Sequence, residues 1–175
     1  MIHAKTRSSR VIGGASPGDR VRMAHRDWYR EIFHPVVAAR ITGAASLAGY
    51  RNDAVNLRGW CRVPPRWETA RDAVPALFDL LEKETEPSVR AVLGHRLFGY
   101  IHPFPDGNGR MARFLMNAML TSGGYPWTVI RLEHRDAYLA ALERASVFQD
   151  IGPFARFLAD QMQWSMERQV QPGFP

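Results

Sequence analysis

Apolar residues recur at helical spacing along most of the chain, and this pattern predicts an all-α fold. A first helix is predicted from Asp19, where Met23, Trp28 and Phe33 follow the helical period and Pro35 bends or ends it. Further helices are predicted at 69–84, from Pro87 to the break at residue 102, at 110–122, and in two segments nearer the C terminus. Gly123 and Gly124 end the 110–122 helix, and Asp150 caps the last one.

Residues 50–63 carry the one β signal. Val55 and Leu57 alternate with polar neighbours, and the segment stops at Pro64 and Pro65. The pattern predicts a short β-hairpin added to the helical core.

Turn-forming residues dominate residues 1–20, so this segment is expected to be a flexible N-terminal tail. Residues 21–170 are expected to form one domain, because 175 residues suit a single hydrophobic core. Residues 171–175 would then be a C-terminal tail.

The composition, 46% hydrophobic and 23% charged, is that of a soluble globular protein. No apolar run approaches the roughly 20 residues that span a bilayer, and the first ten residues lack the apolar stretch of a signal peptide. Cys61 is the lone cysteine, which is typical of a reducing compartment. We therefore expect no membrane partner, and a location in the cytoplasm, or in a host cytoplasm for a delivered effector.

The positive charge is mostly arginine and points to an anionic ligand. Lys plus Arg number 23 against 17 Asp plus Glu, a net charge of +6. A nucleic-acid-binding protein usually concentrates such charge in a stripe with aromatic residues, whereas these arginines are dispersed. A nucleotide fits the excess of arginine equally well, because guanidinium groups form forked hydrogen bonds with phosphates. No nucleic-acid partner is expected.

The segment from His102 to Arg113 concentrates chemically capable residues between two apolar helices, in the order HPFPDGNGRMAR. Its glycines let backbone N–H groups turn toward a ligand, and the helix that follows adds unpaired N–H groups and the positive end of its dipole. Arg110 and Arg113 stand three residues apart, on one face of the first turn, where both can reach one polyphosphate. The segment predicts an anion cradle.

Three other residues of the segment have two possible roles each. Asp106 either caps the helix or holds Mg²⁺ against phosphate oxygens. Asn108 is a turn residue with positive φ, an amide donor to a phosphate oxygen, or both. His102, with an ordinary pKa near 6.5, is either structural or a base for an attacking hydroxyl, and the neighbouring cradle favours the base.

The segment matches, at every defined position, the motif His-x-Phe-x-(Asp/Glu)-Gly-Asn-Gly-Arg-x-x-Arg of the Fic (Fido-fold) family. The resemblance extends to Tyr50-Arg51 and Val63-Pro64-Pro65, which look like the edges of the family's flap hairpin, and to Gly124-Tyr125-Pro126. It covers roughly residues 21–168. The implied fold is the all-α Fic core with one short hairpin flap.

Fic proteins typically transfer AMP from ATP to a Ser, Thr or Tyr hydroxyl of a target protein and release pyrophosphate, so the resemblance implies this activity with Mg²⁺ as cofactor. It implies a set of roles: His102 as general base, Asp106 as metal ligand, Gly107, Asn108 and Gly109 around the α- and β-phosphates, and Arg110 and Arg113 on the outer phosphates. Phe104 matches the buried phenylalanine beneath the loop. Tyr138 is a candidate for stacking on the base, with core packing as the alternative.

The resemblance also implies that the target protein docks along the flap at 50–63 by strand addition. Two alternatives remain open: transfer of another moiety such as UMP, and a nucleotide-binding module without turnover. Gly107 favours nucleotidyl transfer over the kinase and phosphocholine branches of the family.

The family's inhibitory motif, (Ser/Thr)-x-x-x-Glu-(Gly/Asn), is not found in the sequence. Inhibition is therefore expected from a partner, from a helix outside this chain, or not at all.

Overall fold

The computed structural model describes residues 16–39, 43, 49–57 and 61–170, and this part of the chain is helical with no strand. Six α-helices lie in it, with a 3-10 turn before the fifth. In chain order they are α1 (Pro17–Ala38), α2 (Trp67–Lys83), α3 (Pro87–Ile101), α4 (Asn108–Ser122), the 3-10 turn Leu132–His134, α5 (Arg135–Val147) and α6 (Gly152–Val170). The predicted all-α class is confirmed.

The core forms around α3 and α4, which pack along each other. The loop that joins them runs from His102 to Gly107. α2 packs against α3, α1 lies across α2 and α4, and α5 pairs with α6 on the other side. Wholly buried apolar side chains from five of these helices meet in the centre: Tyr29, Phe78, Leu81, Phe98, Met111, Leu115, Met116, Met119 and Leu158. The loop between α3 and α4 is thus attached to the most rigid part of the molecule.

Helix α1 begins at Pro17, two residues earlier than predicted and inside the segment predicted as a tail. The hydroxyl of Ser16 accepts a hydrogen bond from the N–H of Asp19 at 3.1 Å, and Pro17 occupies the first helical position. Residues 1–15 of the predicted tail lie outside the described residues, as do residues 171–175. Pro35 does not end the helix, which continues to Ala38.

The predicted β-hairpin is not observed. Residues 50–57 and 61–63 form no strand, and residues 58–60 lie outside the described part of the chain. The N–H of Arg51 bonds to the carbonyl of Pro103 at 2.8 Å instead of pairing across a hairpin. Val55 and Leu57 are nevertheless partly buried, whereas Ala54 and Asn56 are exposed, so the alternation in the sequence marks a segment with one inward-facing side.

The helix boundaries near the C terminus agree with the sequence. Gly123 is the C-cap of α4, and Gly124 follows in the left-handed conformation with a φ of 83°. At the start of α6, a carboxylate oxygen of Asp150 accepts the N–H of Gly152 at 3.2 Å, and Pro153 lies in the first turn. Both boundary predictions are confirmed.

Candidate active site

His102 ends helix α3 in a left-handed backbone conformation, with φ 53° and ψ 57°. Its N–H still bonds to the carbonyl of Phe98 at 3.0 Å, so the chain reverses within one residue. Such a conformation costs a non-glycine residue on the order of 1–3 kcal/mol and is found most often at functional sites. The turn places the imidazole at the wall of a cavity between α3, α4 and α5.

The imidazole of His102 is neutral at physiological pH. Burial lowers its pKa below the usual 6.5, and the charges of Arg51 and Arg62 act in the same direction, against a hydrogen bond to the carbonyl of Gly99. That carbonyl lies 3.4 Å from Nδ1 and can only accept, so Nδ1 carries the proton. Nε2 is left with its lone pair, which is the state that a general base requires.

The loop is fixed from beneath by Phe104, which is wholly buried as predicted. Its ring stacks on that of Tyr29, with centroids 3.8 Å apart and planes inclined by 2°. The amide of Asn108 accepts the N–H of Phe104 at 2.9 Å and donates to its carbonyl at 2.8 Å. These contacts preorganise the loop before any ligand binds.

The structure contradicts the positive-φ turn role predicted for Asn108, and its contact with a phosphate oxygen stays a prediction. It is the first residue of α4 rather than a positive-φ turn residue, and the left-handed residues around the loop are His102 and Gly107. Its side chain is 1% exposed and is engaged with the main chain of Phe104. What Asn108 offers an anion is its main-chain N–H at the start of the helix.

Gly107 is required by two separate constraints. Its φ is 74°, a value that side chains disfavour. A Cβ built on Gly107 would also stand 1.7 Å from a ring carbon of Phe33 on α1. The loop can lie this close to α1 only because the residue has no side chain.

Asp106 does not cap α4, which has no side-chain cap and no acidic residue in its first turn. Its carboxylate is 79% exposed, and its nearest cation is Arg110, with an Oδ2 to Nη2 distance of 3.7 Å. Of its two possible roles, the capping role is therefore wrong. The metal role stays a prediction.

The two motif arginines point in different directions. The guanidinium of Arg110 lies 4.0 Å above the ring of Phe33. Arg113 instead lines the cavity, with Nη1 3.6 Å from the position that a Cβ of Gly109 would take. That both reach one polyphosphate stays a prediction.

The cavity beside the loop has a volume of about 170 Å³. Helices α3, α4 and α5 form its walls, and the segment around Leu57 and Arg62 closes one side. Arg62 stacks on the ring of Tyr100 at 3.6 Å and also donates to the carbonyl of Tyr100. The motif residues on the wall are His102, Gly109, Ala112 and Arg113. A neutral base, an arginine and a helix N terminus thus face one space.

Tyr138 borders this cavity. It is 6% exposed, and its ring packs against Phe154 and Phe157 with centroids 6.4 and 5.8 Å away. Its hydroxyl lies 2.9 Å from Nε2 of His95. Core packing, the alternative, is what the structure shows for its ring, and stacking on a base stays a prediction.

Sequence reasoning missed Arg51 as a residue of the site. Its side chain is 2% exposed and donates to the carbonyls of His102 and Asp53, each at 2.8 Å, and of Pro65. It thereby ties the catalytic loop to the segments before and after residues 58–60. No local pattern marks this role, because His102 is 51 residues away in the sequence.

A loop between two central helices, with a histidine at its start and two arginines in the helix that follows it, defines the site. A family model described as Fic/DOC family matches residues 18–120, which is more than half of the chain. The chain belongs to the Fic/DOC family.

Relatives with a related sequence are considerably longer than this chain. A protein adenylyltransferase Fic of Nematostella vectensis is 41% identical over 130 residues, which are 72% of this chain and 28% of the relative. Protein adenylyltransferase fic-1 of Caenorhabditis elegans is 33% identical over 138 residues, covering 78% of this chain and 25% of the relative. The chain thus spans about a quarter of the length of these two proteins.

Solved structures confirm the fold. Fic-1 of C. elegans, residues 134–508, superposes with a TM-score of 0.63 at 25% identity, over 85% of this chain and 42% of that one. A Fic domain-containing signaling protein of Bacteroides thetaiotaomicron gives a TM-score of 0.64 at 24% identity, over 89% of this chain and 73% of that one. No helix in the described part of the chain is long and apolar enough to span a membrane.

Proposed function

We propose that this domain transfers AMP from ATP to a Ser, Thr or Tyr hydroxyl of a target protein. The observation that carries the proposal is the neutral Nε2 of His102 on the same cavity wall as Arg113 and the N terminus of α4. A base beside an anion cradle suits the attack of a hydroxyl on a phosphate. Relatives named protein adenylyltransferase support the same conclusion.

The reaction is an in-line displacement at the α-phosphorus. The target hydroxyl oxygen forms a bond to that phosphorus, the bond from phosphorus to the oxygen bridging the α- and β-phosphates breaks, and pyrophosphate leaves. Nε2 of His102 accepts the hydroxyl proton as the new bond forms. The main-chain N–H groups of Gly109 and the first turn of α4, with Arg113, bind the phosphates, so that catalysis rests on position and charge.

Asp106 fits the role of a Mg²⁺ ligand. Its carboxylate is exposed, and its nearest cation stands beyond hydrogen-bond distance, at 3.7 Å. No group of three or more potential metal ligands occurs among the described residues. This agrees with the way Mg²⁺ binds, through one or two carboxylates and the phosphates of the nucleotide. When bound, the metal would neutralise charge on the phosphates, with Asp106 as its protein ligand.

The target protein would dock along residues 50–63, the segment that the family uses as a flap. Residues 52–54 and 56 are exposed, and Leu57 faces the cavity. An extended target segment pairing with this backbone by strand addition would bring its hydroxyl toward His102. Such main-chain recognition leaves the identity of the target to the side chains around it.

The test is incubation of the protein with a lysate, MgCl₂ and ATP labelled on either the α- or the γ-phosphate. Transfer of AMP labels protein from α-labelled ATP only, whereas a kinase labels it from γ-labelled ATP. Labelling from α-labelled UTP in preference to ATP would identify UMP as the group transferred. The matched controls are His102→Ala and His34→Ala, the latter an exposed histidine of α1.

Two results would contradict the proposal. ATP binding without labelling of any protein would identify a binding module. Salt-dependent DNA binding without ATP turnover would identify a nucleic-acid adaptor.

A further inference from the structure

A buried polar pair lies behind the wall of the cavity. His95 of α3 and Tyr138 of α5 are 1% and 6% exposed, and Nε2 of His95 is 2.9 Å from the Tyr138 hydroxyl. Burial lowers the pKa of His95 to about 3, so its imidazole is neutral at any pH at which the protein works. Both residues border the same cavity as His102 and Arg113.

Arg113 is the third member of this arrangement. Arg113 and Tyr138 together line this cavity and a second one beside α5. The charge of Arg113 lowers the pKa of Tyr138, which burial raises, and it disfavours protonation of His95. A guanidinium group has only donors, so a hydrogen bond between Arg113 and Tyr138 needs the Tyr138 oxygen as its acceptor.

The tautomer of His95 can be inferred by comparing how many buried hydrogen-bonding groups each neutral tautomer leaves unpaired. Nδ1 of His95 is buried without a hydrogen-bond partner among the described residues. If Tyr138 donates its proton to Nε2, the Nδ1–H is the one group left unpaired. If Nε2–H donated instead, both the Tyr138 proton and the Nδ1 lone pair would be unpaired. Since each buried unpaired group is costly, the first arrangement is favoured. The Tyr138 oxygen is then available only as an acceptor, and Arg113 supplies the donor.

We propose that Tyr138 and His95 are positioning residues for Arg113, holding its guanidinium at the cavity wall where the outer phosphates of a nucleoside triphosphate bind. His95 fixes the Tyr138 hydroxyl, and that hydroxyl fixes the guanidinium. A long, flexible side chain is thereby restricted before the ligand arrives, which reduces the entropy lost on binding. The inference rests on the proposed function. It assigns Tyr138 the role of positioning Arg113, in place of the predicted stacking on the nucleotide base.

The test separates phosphate binding from general stability. Tyr138→Phe keeps the buried ring and removes only the hydroxyl, so the fold should be kept, with a lower unfolding temperature because Nε2 of His95 loses its partner. We expect its Kd for ATP with MgCl₂, measured by calorimetry below that temperature, to rise about 5- to 10-fold, because Arg113 can still reach the phosphates but is no longer held in place. Its Kd for AMP, which lacks the outer phosphates, should change less than 2-fold. Tyr125→Phe is the matched control, a half-buried tyrosine outside the cavity.

A double-mutant cycle shows whether Tyr138 acts through Arg113. In an Arg113→Ala background, Tyr138→Phe should have no further effect on the Kd for ATP. Additive effects, equal losses for ATP and AMP, or unchanged ATP binding by Tyr138→Phe would each overturn the inference. If the unsubstituted protein binds no ATP, the proposed function fails and this inference fails with it.

A second measurement needs no nucleotide. ¹⁵N NMR of the imidazole should show His95 protonated on Nδ1 and not titrating between pH 5 and 8. Tyr138→Phe should shift that tautomer toward Nε2–H, because the donor to Nε2 is gone. A His95 that is already protonated on Nε2 in the unsubstituted protein would contradict the proposed arrangement.

Discussion

The Nε–H of Arg51 donates to the main-chain carbonyl oxygen of His102 over 2.8 Å, although the two residues are 51 positions apart. The same guanidinium donates hydrogen bonds to the carbonyls of Asp53 and Pro65. The main-chain N–H of Arg51 donates to the carbonyl of Pro103. One buried arginine thus connects the segments on either side of residues 58–60 with the turn that carries His102.

Arg51→Lys should destabilise the protein and slow transfer, because an ammonium group cannot reproduce the fork that spans three carbonyls. Leaving buried carbonyls unpaired costs about 1–3 kcal/mol each, so we expect a clear fall in the free energy of unfolding, measured by urea denaturation. The exposed Arg66, replaced by Lys, is the matched control, with a change below about 0.5 kcal/mol. Equal stability of the two variants would show that the buried fork contributes nothing.

His102→Ala should abolish AMP transfer, with a loss of about 10² to 10⁴ in rate. ATP binding should stay within a few-fold, because the imidazole acts on the target hydroxyl rather than on the phosphates. Transfer by the unsubstituted protein should fall at acid pH with an apparent pKa below 6.5, since burial lowers the pKa of His102 and the protonated form cannot accept a proton. A variant with undiminished transfer would rule out the base.

Asp106→Asn should weaken Mg²⁺-dependent ATP binding and transfer together, because the metal would lose its charged protein ligand in the motif. The carboxylate makes no capping bond in α4, so the unfolding temperature should hardly change. A Mg²⁺ titration of ATP binding tests this. An unaltered metal dependence would exclude Asp106 as the ligand.

Gly107→Ala and Gly109→Ala form a matched pair that should differ in stability. A Cβ at Gly107 would meet Phe33 at 1.7 Å and would sit on a φ of 74°, whereas one at Gly109 meets only Arg113 Nη1 at 3.6 Å. We expect Gly107→Ala to lose about 1–3 kcal/mol or more and Gly109→Ala to change by less than about 1 kcal/mol. Similar unfolding free energies for both variants would show that the loop is free to move away from α1.

Arg113 should be available to ATP, since the sequence contains no inhibitory motif whose glutamate could pair with it. The 175-residue protein should therefore label itself with α-labelled ATP and Mg²⁺ alone. Arg113→Ala should reduce that activity by roughly 2 kcal/mol, about 30-fold, because a charged contact to phosphate is lost. If the purified protein is inert until another segment or protein is removed, a glutamate from elsewhere reaches Arg113.

Structural elements that depend only on residues close together in the chain could be predicted from the sequence. Helical spacing of apolar side chains predicted the helices, and Gly123, Gly124 and Asp150 marked two boundaries that the structure confirms. The motif from His102 to Arg113 could be recognised because the base, the glycines and the arginines lie within one turn and the start of one helix. Burial of Phe104 was implied by the resemblance to the Fic family, and the structure confirms it.

Tertiary structure decided the contacts between distant segments. The ring of Phe33 makes Gly107 obligatory, and the hydroxyl of Tyr138 lies within hydrogen-bond distance of His95, 43 residues away. Helical period predicts that a side chain faces inward, but the partner it meets depends on how the helices cross. Buried polar groups must find hydrogen-bond partners wherever the packed chain supplies them, and in this protein those partners lie tens of residues away.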